Sequence, residues 1–343
     1  MDVPADPLAP RHSGRSRLLV ANLDAELSWA KTHLGTHATL PAAVARASSA
    51  AGATLAVLGT AGDLLWLPQP LESERLAPLI DLTGVQVVSG PLSDFAEVDE
   101  VVAWGWTAEL EAVAGPRLPC SAALVAELND RRTSLALETE LELAIPSVRP
   151  IRSHEELHEC LECWPHPAPW VLKAPLSASG RARLRRRGAP EADAWTRARR
   201  LLDRFGVLIL EPWLERTDDW GTVGVISDQA TRLWPSHRLE VDGNGVFRAA
   251  CVGVSAPAEL ADTAVAVADE LRRRGYRGPF GIDSFRYQQD DGVALRALCE
   301  INARLSFGHL AHAAVARFAD GLGLCAASGA CLGISRGTTV PDG

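Results

Sequence analysis

The stretch Cys299-Glu300-Ile301-Asn302-Ala303-Arg304 sets a carboxylate, a carboxamide and a guanidinium on alternate residues. On an extended strand successive side chains point to opposite faces, so Glu300, Asn302 and Arg304 share one face. Cys299, Ile301 and Ala303 share the other, which reads as core. Upstream, Gly281-Ile282-Asp283-Ser284-Phe285-Arg286-Tyr287 is a second strand candidate. Between them lies Asp291-Gly292, a dipeptide that favours a two-residue type I′ hairpin turn. Centring the turn there puts Asp283 directly opposite Glu300, with side chains about 5 Å apart. Two unscreened carboxylates at that range repel, so one is protonated or a cation lies between them. Asp283, Glu300 and the Asn302 amide oxygen form a hard-oxygen set suited to Mg²⁺, which keeps water and takes further ligands from phosphates. The competing interpretation is a solvated polar face on an edge hairpin.

Working outward, the 343 residues are enough for roughly two or three packed units. At 47% hydrophobic and 22% charged, the composition is globular. No apolar run reaches the length of a membrane span, and residues 1–16 lack the apolar core of a signal peptide, so no membrane partner is expected. The seven cysteines are scattered without a disulfide framework, which favours a reducing, cytoplasmic location. A net charge of -9 argues against a general nucleic-acid surface. Of the 34 basic residues, only Lys31 and Lys173 are lysines.

The first part of the chain alternates strand and helix patterns. Arg17–Asn22, Thr54–Gly59, Gln86–Ser89 and Glu100–Trp104 read as strands and Leu40–Ala51 as a helix. This predicts a small parallel α/β unit over 15–120. No Gly-x-Gly-x-x-Gly follows the first strand. From Ser121 helices come first: Ser121–Leu128, Thr133–Leu143, and one opened by the capping box at Ser153 and Glu156. Trp170–Lys173 is a strand running into a small-residue loop, Ala174–Ala182. A helix over 191–205 and a strand at Val207–Leu210 lead to Glu211-Pro212-Trp213-Leu214. Strands at Thr222–Ser227 and Val246–Val252, a helix at Pro257–Arg274, the hairpin and a helix at Gly308–Ala319 complete the pattern.

Lys173 closes an apolar strand ahead of a Ser/Gly loop, where an ammonium can neutralise phosphate oxygens while backbone N–H groups and the Ser177 or Ser179 hydroxyls close over them. A snorkelling surface lysine is the plainer alternative. Arg183, Arg185, Arg186 and Arg187 read as a solvated mobile loop. Cys160-x-x-Cys163 near His154, His158 and His166 lacks the second pair that a zinc site needs. His309 and His312 suit helix packing as well as substrate contact. Residues 235–250, with His237, Arg238 and Arg248, are a candidate substrate wall.

In this order, the parts resemble the ATP-grasp superfamily from about Asn129 to Ala313. The resemblance implies α/β architecture with α+β lobes: a Rossmann-like domain over 15–120, then a two-lobed ATP-grasp domain over 121–335 with a mobile lid at about 165–212. Glu300-x-Asn302-x-Arg304 is similar to the family's metal strand, and Gly281-Ile282-Asp283 to its partner. Metal ligands Asp283, Glu300 and Asn302 follow from it, with Mg²⁺, or Mn²⁺ in its place, as the ion. Trp170–Lys173 with Ser179-Gly180-Arg181 resembles the lysine strand and phosphate loop. Glu211-x-Trp213-Leu214 resembles the adenine hinge, and Asp218 or Asp219 the ribose-holding acid. Arg131 stands where the family's first phosphate lysine usually stands, and Ala182 where a second glycine often does. The activity implied is an ATP-dependent carboxylate–amine ligase working through an acylphosphate on an amino acid, peptide or related small molecule, with Lys173 and Arg304 catalytic. Homo-oligomerisation stays open. So do two alternatives: a phosphotransferase on the same scaffold and a non-catalytic nucleotide-binding protein.

Overall fold

Three sheets carry the chain. The computed structural model describes residues 17–35, 41–177, 182–243, 245–318 and 331–333. The first unit runs β1 (Arg17–Val20), α1 (Ala25–Leu34), α2 (Ala42–Gly52), β2 (Leu64–Trp66), α3 (Ser73–Thr83), β3 (Gln86–Val88), β4 (Glu100–Ala103) and α4 (Ala108–Ala114). Its sheet is parallel, in the order β3-β2-β1-β4. Thr54–Gly59, expected as a strand, is instead mostly a 3₁₀ turn over Ala53–Leu58. Ala53, Leu55, Ala56, Val57 and Leu58 are all buried. A run apolar on every side carries no period to separate strand from helix. The true second strand, Leu64–Trp66, is too short to show one.

Two helices follow, α5 (Ala122–Leu128) and α6 (Arg131–Glu140), capped by Ser121 and Asp130. The unit expected as the lid comprises β5 (Arg149–Ile151), α7 (His154–Glu162), β6 (Pro169–Lys173), β7 (Arg183–Arg187), α8 (Ala192–Phe205) and β8 (Leu208–Pro212). Its antiparallel sheet has the order β5-β8-β6-β7 and starts at Arg149, upstream of the expected lid boundary. Trp170, Leu172, Leu184, Ala198, Leu202 and Leu210 give it a core of its own. Strand β7 corrects the expectation of a mobile arginine loop. Leu184 plugs into the core while arginines occupy the other four positions, and their polar heads mask a strand whose register is held by β6.

The C-terminal lobe adds β9 (Arg216–Ile226), β10 (Thr231–Leu233), β11 (His237–Val241), β12 (Phe247–Cys251), α9 (Glu259–Arg273), β13 (Gly278–Gln289), β14 (Gly292–Asn302), α10 (Phe307–Phe318) and β15 (Cys331–Gly333). The sheet order is β14-β13-β9-β11-β12-β15, with β10 on β9. Leu18, Val20 and Trp29 of the first unit share a core with Val267, Leu271, Phe280 and Leu298 of this lobe. Cys120, Cys160, Cys163 and Cys299 are free, whereas Cys251 is disulfide-bonded, a departure from the thiol-only expectation. No described helix is long and apolar enough to cross a membrane.

The β13–β14 hairpin pairs Asp283 with Glu300. Its turn is Asp290-Asp291, one residue earlier than expected, because Gln289 pairs with Gly292. A bulge makes up the difference: Ser284 alone on β13 faces Ala297, Leu298 and Cys299 on β14. An insertion of two residues preserves the alternation of faces, so the acidic row survives intact.

His237 of β11 and His309 of α10 are buried, and His312 lies beside them with its ring centroid 5.3 Å from that of His237. Burial, then the neighbouring imidazoles, lowers His237 to about 3. Burial likewise lowers His309 and His312 to about 4. In the unfolded chain these rings take protons near 6.5, so the unfolded state binds more protons below that pH. Stability is therefore intact above about 6.5 and falls as pH drops through the window. Denaturant titrations at about pH 7 and pH 5 should differ by roughly 1 kcal/mol per histidine per pH unit. Equal midpoints would mean that the rings take up protons as readily in the fold as in the unfolded chain.

Candidate active site

Between lid and C-terminal lobe lies a cleft of about 550 Å³. Its floor is a row across four strands, because Glu300 pairs with Asp283, Asp283 with Gly221 and Gly221 with His237. Paired residues face the same side, which brings the two carboxylates together. Asn302 is buried one step along, opposite Gly281. Asp283 is partly accessible. Loss of water around it, then the Glu300 charge, pushes its carboxyl up to about 7 against the pull of Arg304. Such a shift is what burial and a facing like charge produce together. Among the described residues no cluster of three His, Cys, Asp or Glu groups could hold a metal. The row itself offers two carboxylates and an amide oxygen.

Lys173 enters from the lid. Its ammonium donates to Glu211 at 2.7 Å, and Glu211 also receives Arg296 at 3.0 Å. Arg296 in turn grips Glu138 of α6 with two bonds, at 2.7 and 2.9 Å. Burial would raise the Glu211 carboxyl, but Lys173 and Arg296 bring it down to about 2. The network therefore aims Lys173 while tying β6, β8, β14 and α6 together. Arg296 and Glu138 side chains are 4% and 1% exposed. Arg296→Leu should therefore cost about 3–5 kcal/mol, since it strands buried carboxylates. A loss under about 1 kcal/mol in denaturant titration would show water reaching them.

Arg131, the first residue of α6, spans the cleft. It meets Glu300 at 2.9 Å and donates to the Ala174 carbonyl at 2.9 Å and to Ser177 Oγ at 3.1 Å. Its buried Nε has no partner. Arg304 is ion-paired with Glu26 of α1 and lies 5.4 Å over the Trp104 ring; its buried Nε is also unpartnered. Asp219 shares the face of Asp283 and is held by Arg216 at 2.5 Å. Asp218 points away, accepting from Trp220 Nε1. Of the two acids, the cleft holds Asp219. Trp213 and Leu214 lie in the link between β8 and β9. The Trp213 amide donates to the Pro169 carbonyl at 2.9 Å, and Arg185 stacks on its ring at 4.2 Å. Ser179 and Gly180 lie outside the described residues.

The remaining candidates disperse. His154 pairs with Asp203 at 2.7 Å and His158 with Glu162 at 3.1 Å, on the lid's outer side. His237 and Arg248 reach the cleft, while His309 and His312 are packing groups. Glu26, Trp104, Arg216, Arg296 and Glu138 were missed from sequence. Arg216 meets Asp219 three residues on, but Arg296 meets Glu138 and Glu26 meets Arg304 from far along the chain, where no spacing announces them.

A lysine lid strand, an acidic row and an arginine beyond it, placed behind a parallel α/β unit, define the class. The chain has the ATP-grasp fold. Among solved structures it is similar to Staphylococcus aureus N5-carboxyaminoimidazole synthetase with ADP, at 10% identity and TM-score 0.57 over 91% of this chain and 76% of that one. The Thermus thermophilus N5-carboxyaminoimidazole ribonucleotide synthetase matches at 17% identity and TM-score 0.54, over 88% and 73%. The biotin carboxylase domain dimer of Hydrogenobacter thermophilus 2-oxoglutarate carboxylase, with MgADP, ADP and bicarbonate, matches at 16% and 0.54, over 87% and 66%. No family model and no curated protein matches the chain. At such identities likeness establishes the fold, and chemistry has to be argued from the cleft.

Proposed function

We propose that this chain is an ATP-dependent carboxylate–amine ligase forming an amide through an acylphosphate. The observation that carries the reading is the convergence of Lys173, Arg131 and Arg304 on the Asp283–Glu300–Asn302 row in one cleft. The ADP and MgADP held by structurally similar enzymes support the same assignment.

Asp283, Glu300 and the Asn302 amide suit a divalent ion, magnesium above all, because the raised Asp283 carboxyl is relieved by positive charge. When bound, such an ion supplies charge neutralisation at the β- and γ-phosphates. The protein's own part is positioning and electrostatics. Lys173 and Arg131 set cations beside the phosphates, Asp219 faces the ribose, and the Trp213-Leu214 link borders the base. A substrate carboxylate oxygen attacks the γ-phosphorus as the bond to the β–γ bridging oxygen breaks and ADP leaves. The amine nitrogen then attacks the acyl carbon, the C–O bond to phosphate breaks, and the nitrogen gives up its proton. Arg304 steadies the carboxylate before and after transfer. The lid limits hydrolysis of the acylphosphate.

A screen of paired carboxylates and amines, read by ADP release and new product mass, tests this. Amide formation that needs both substrates supports the ligase. ADP release without any amine requirement, leaving a phosphorylated product, would replace it with a phosphotransferase.

A further inference from the structure

The two ends of the cleft differ in chemistry. Ions line the nucleotide half, whereas beyond Arg304 the wall is apolar. Helix α2 turns Val44, Ala47, Ser48 and Ala51 into the cleft, the spacing of one helix face. Ala47 is exposed and the other three are half-buried, so no element of the described fold covers this stripe. Across from it Phe307 stacks on Phe247, centroids 5.1 Å apart at 10°, and packs on Trp104 at 4.9 Å. At the junction of the apolar wall and the ionic half sit two opposite charges, Glu26 and Arg304, paired with each other, and the Arg304 Nε is buried without a hydrogen-bond partner.

We propose, building on the ligase reading, that the acid substrate is an α-amino acid with an apolar side chain. Arg304 takes its carboxylate, Glu26 its ammonium, and the α2 stripe with Trp104 and Phe307 its side chain. The charges balance only for this class. A zwitterion exchanges the Arg304–Glu26 pair for two new pairs and strands neither ion. A simple acid that engages Arg304 leaves Glu26 uncompensated. An acidic or basic side chain loses water against α2, whose cleft-facing residues Val44, Ala47, Ser48 and Ala51 carry no charge. Glu26 is thus a recognition residue supplied by the first unit, which explains why α1 is docked over the end of the metal strand.

Calorimetry on the full chain, with Mg²⁺ and a non-hydrolysable ATP analogue, tests the assignment apart from turnover. L-Leu or L-Phe should bind at least about tenfold more tightly than L-Asp or 3-phenylpropanoate. Ala47→Phe, at an exposed helix position, should weaken L-Phe about tenfold more than L-Ala by filling the pocket. Equal binding of 3-phenylpropanoate and L-Phe, or no apolar amino acid bound at all, overturns the proposal. ADP and amide formed only from non-amino-acid acids would overturn it too, while keeping the ligase. Tight L-Phe binding with no ADP release from any acid–amine pair would instead remove the ligase reading and leave the pocket assigned.

Discussion

Glu300→Gln is expected to lower ATP turnover by roughly 10²–10³-fold while leaving the fold and its melting temperature essentially unchanged. The substitution keeps the shape of the side chain and removes its charge. In the row across the sheet Glu300 is the carboxylate directly opposite Asp283. Without it Asp283 keeps the effect of burial but loses the Glu300 repulsion that adds to it, and the proposed metal site loses one of its two negative charges. Arg131 keeps its bonds to the Ala174 carbonyl and Ser177, so the α6 start stays in place. Turnover should recover little at high Mg²⁺. Wild-type turnover in this variant would remove Glu300 from the proposed metal site.

Lys173→Met is the second large effect, a turnover loss of about 10²-fold with a marked rise in the ATP requirement. The methionine stem fills the same space, but the ammonium proposed to face the phosphates is gone. A purely structural role is separable. Glu211 retains Arg296 in this variant, so stability falls only modestly. Glu211→Gln, by contrast, weakens both partners' anchor yet keeps the ammonium in the cleft. If Lys173 acts on phosphate, Lys173→Met is the worse catalyst of the two and not the less stable. The reverse ranking would make Lys173 a fold residue.

The acidic row was legible because strand alternation is local chemistry: the spacing of Glu300, Asn302 and Arg304 needs no knowledge of the rest of the chain. Its pairing with Asp283 emerged despite a turn placed one residue late, since the bulge opposite Ser284 moves the register by the compensating amount. That agreement came from two offsets that sequence does not announce. The lid's β7 was hidden by its arginines, and Ala53–Leu58 by a burial so complete that it has no period. Least legible were the groups that aim the others. Arg296 meets Glu138 across 158 positions of chain and Arg304 meets Glu26 across 278. Such pairs exist only once the units are packed.

Activation through an acylphosphate turns a carboxylate oxygen into a phosphate oxygen. Turnover with an acid labelled with ¹⁸O in its carboxylate, paired with an accepted amine, tests this through the mass of the phosphate released. Transfer of one label per amide formed is the predicted result. Unlabelled phosphate accompanying the same amide would contradict activation through an acylphosphate in this cleft.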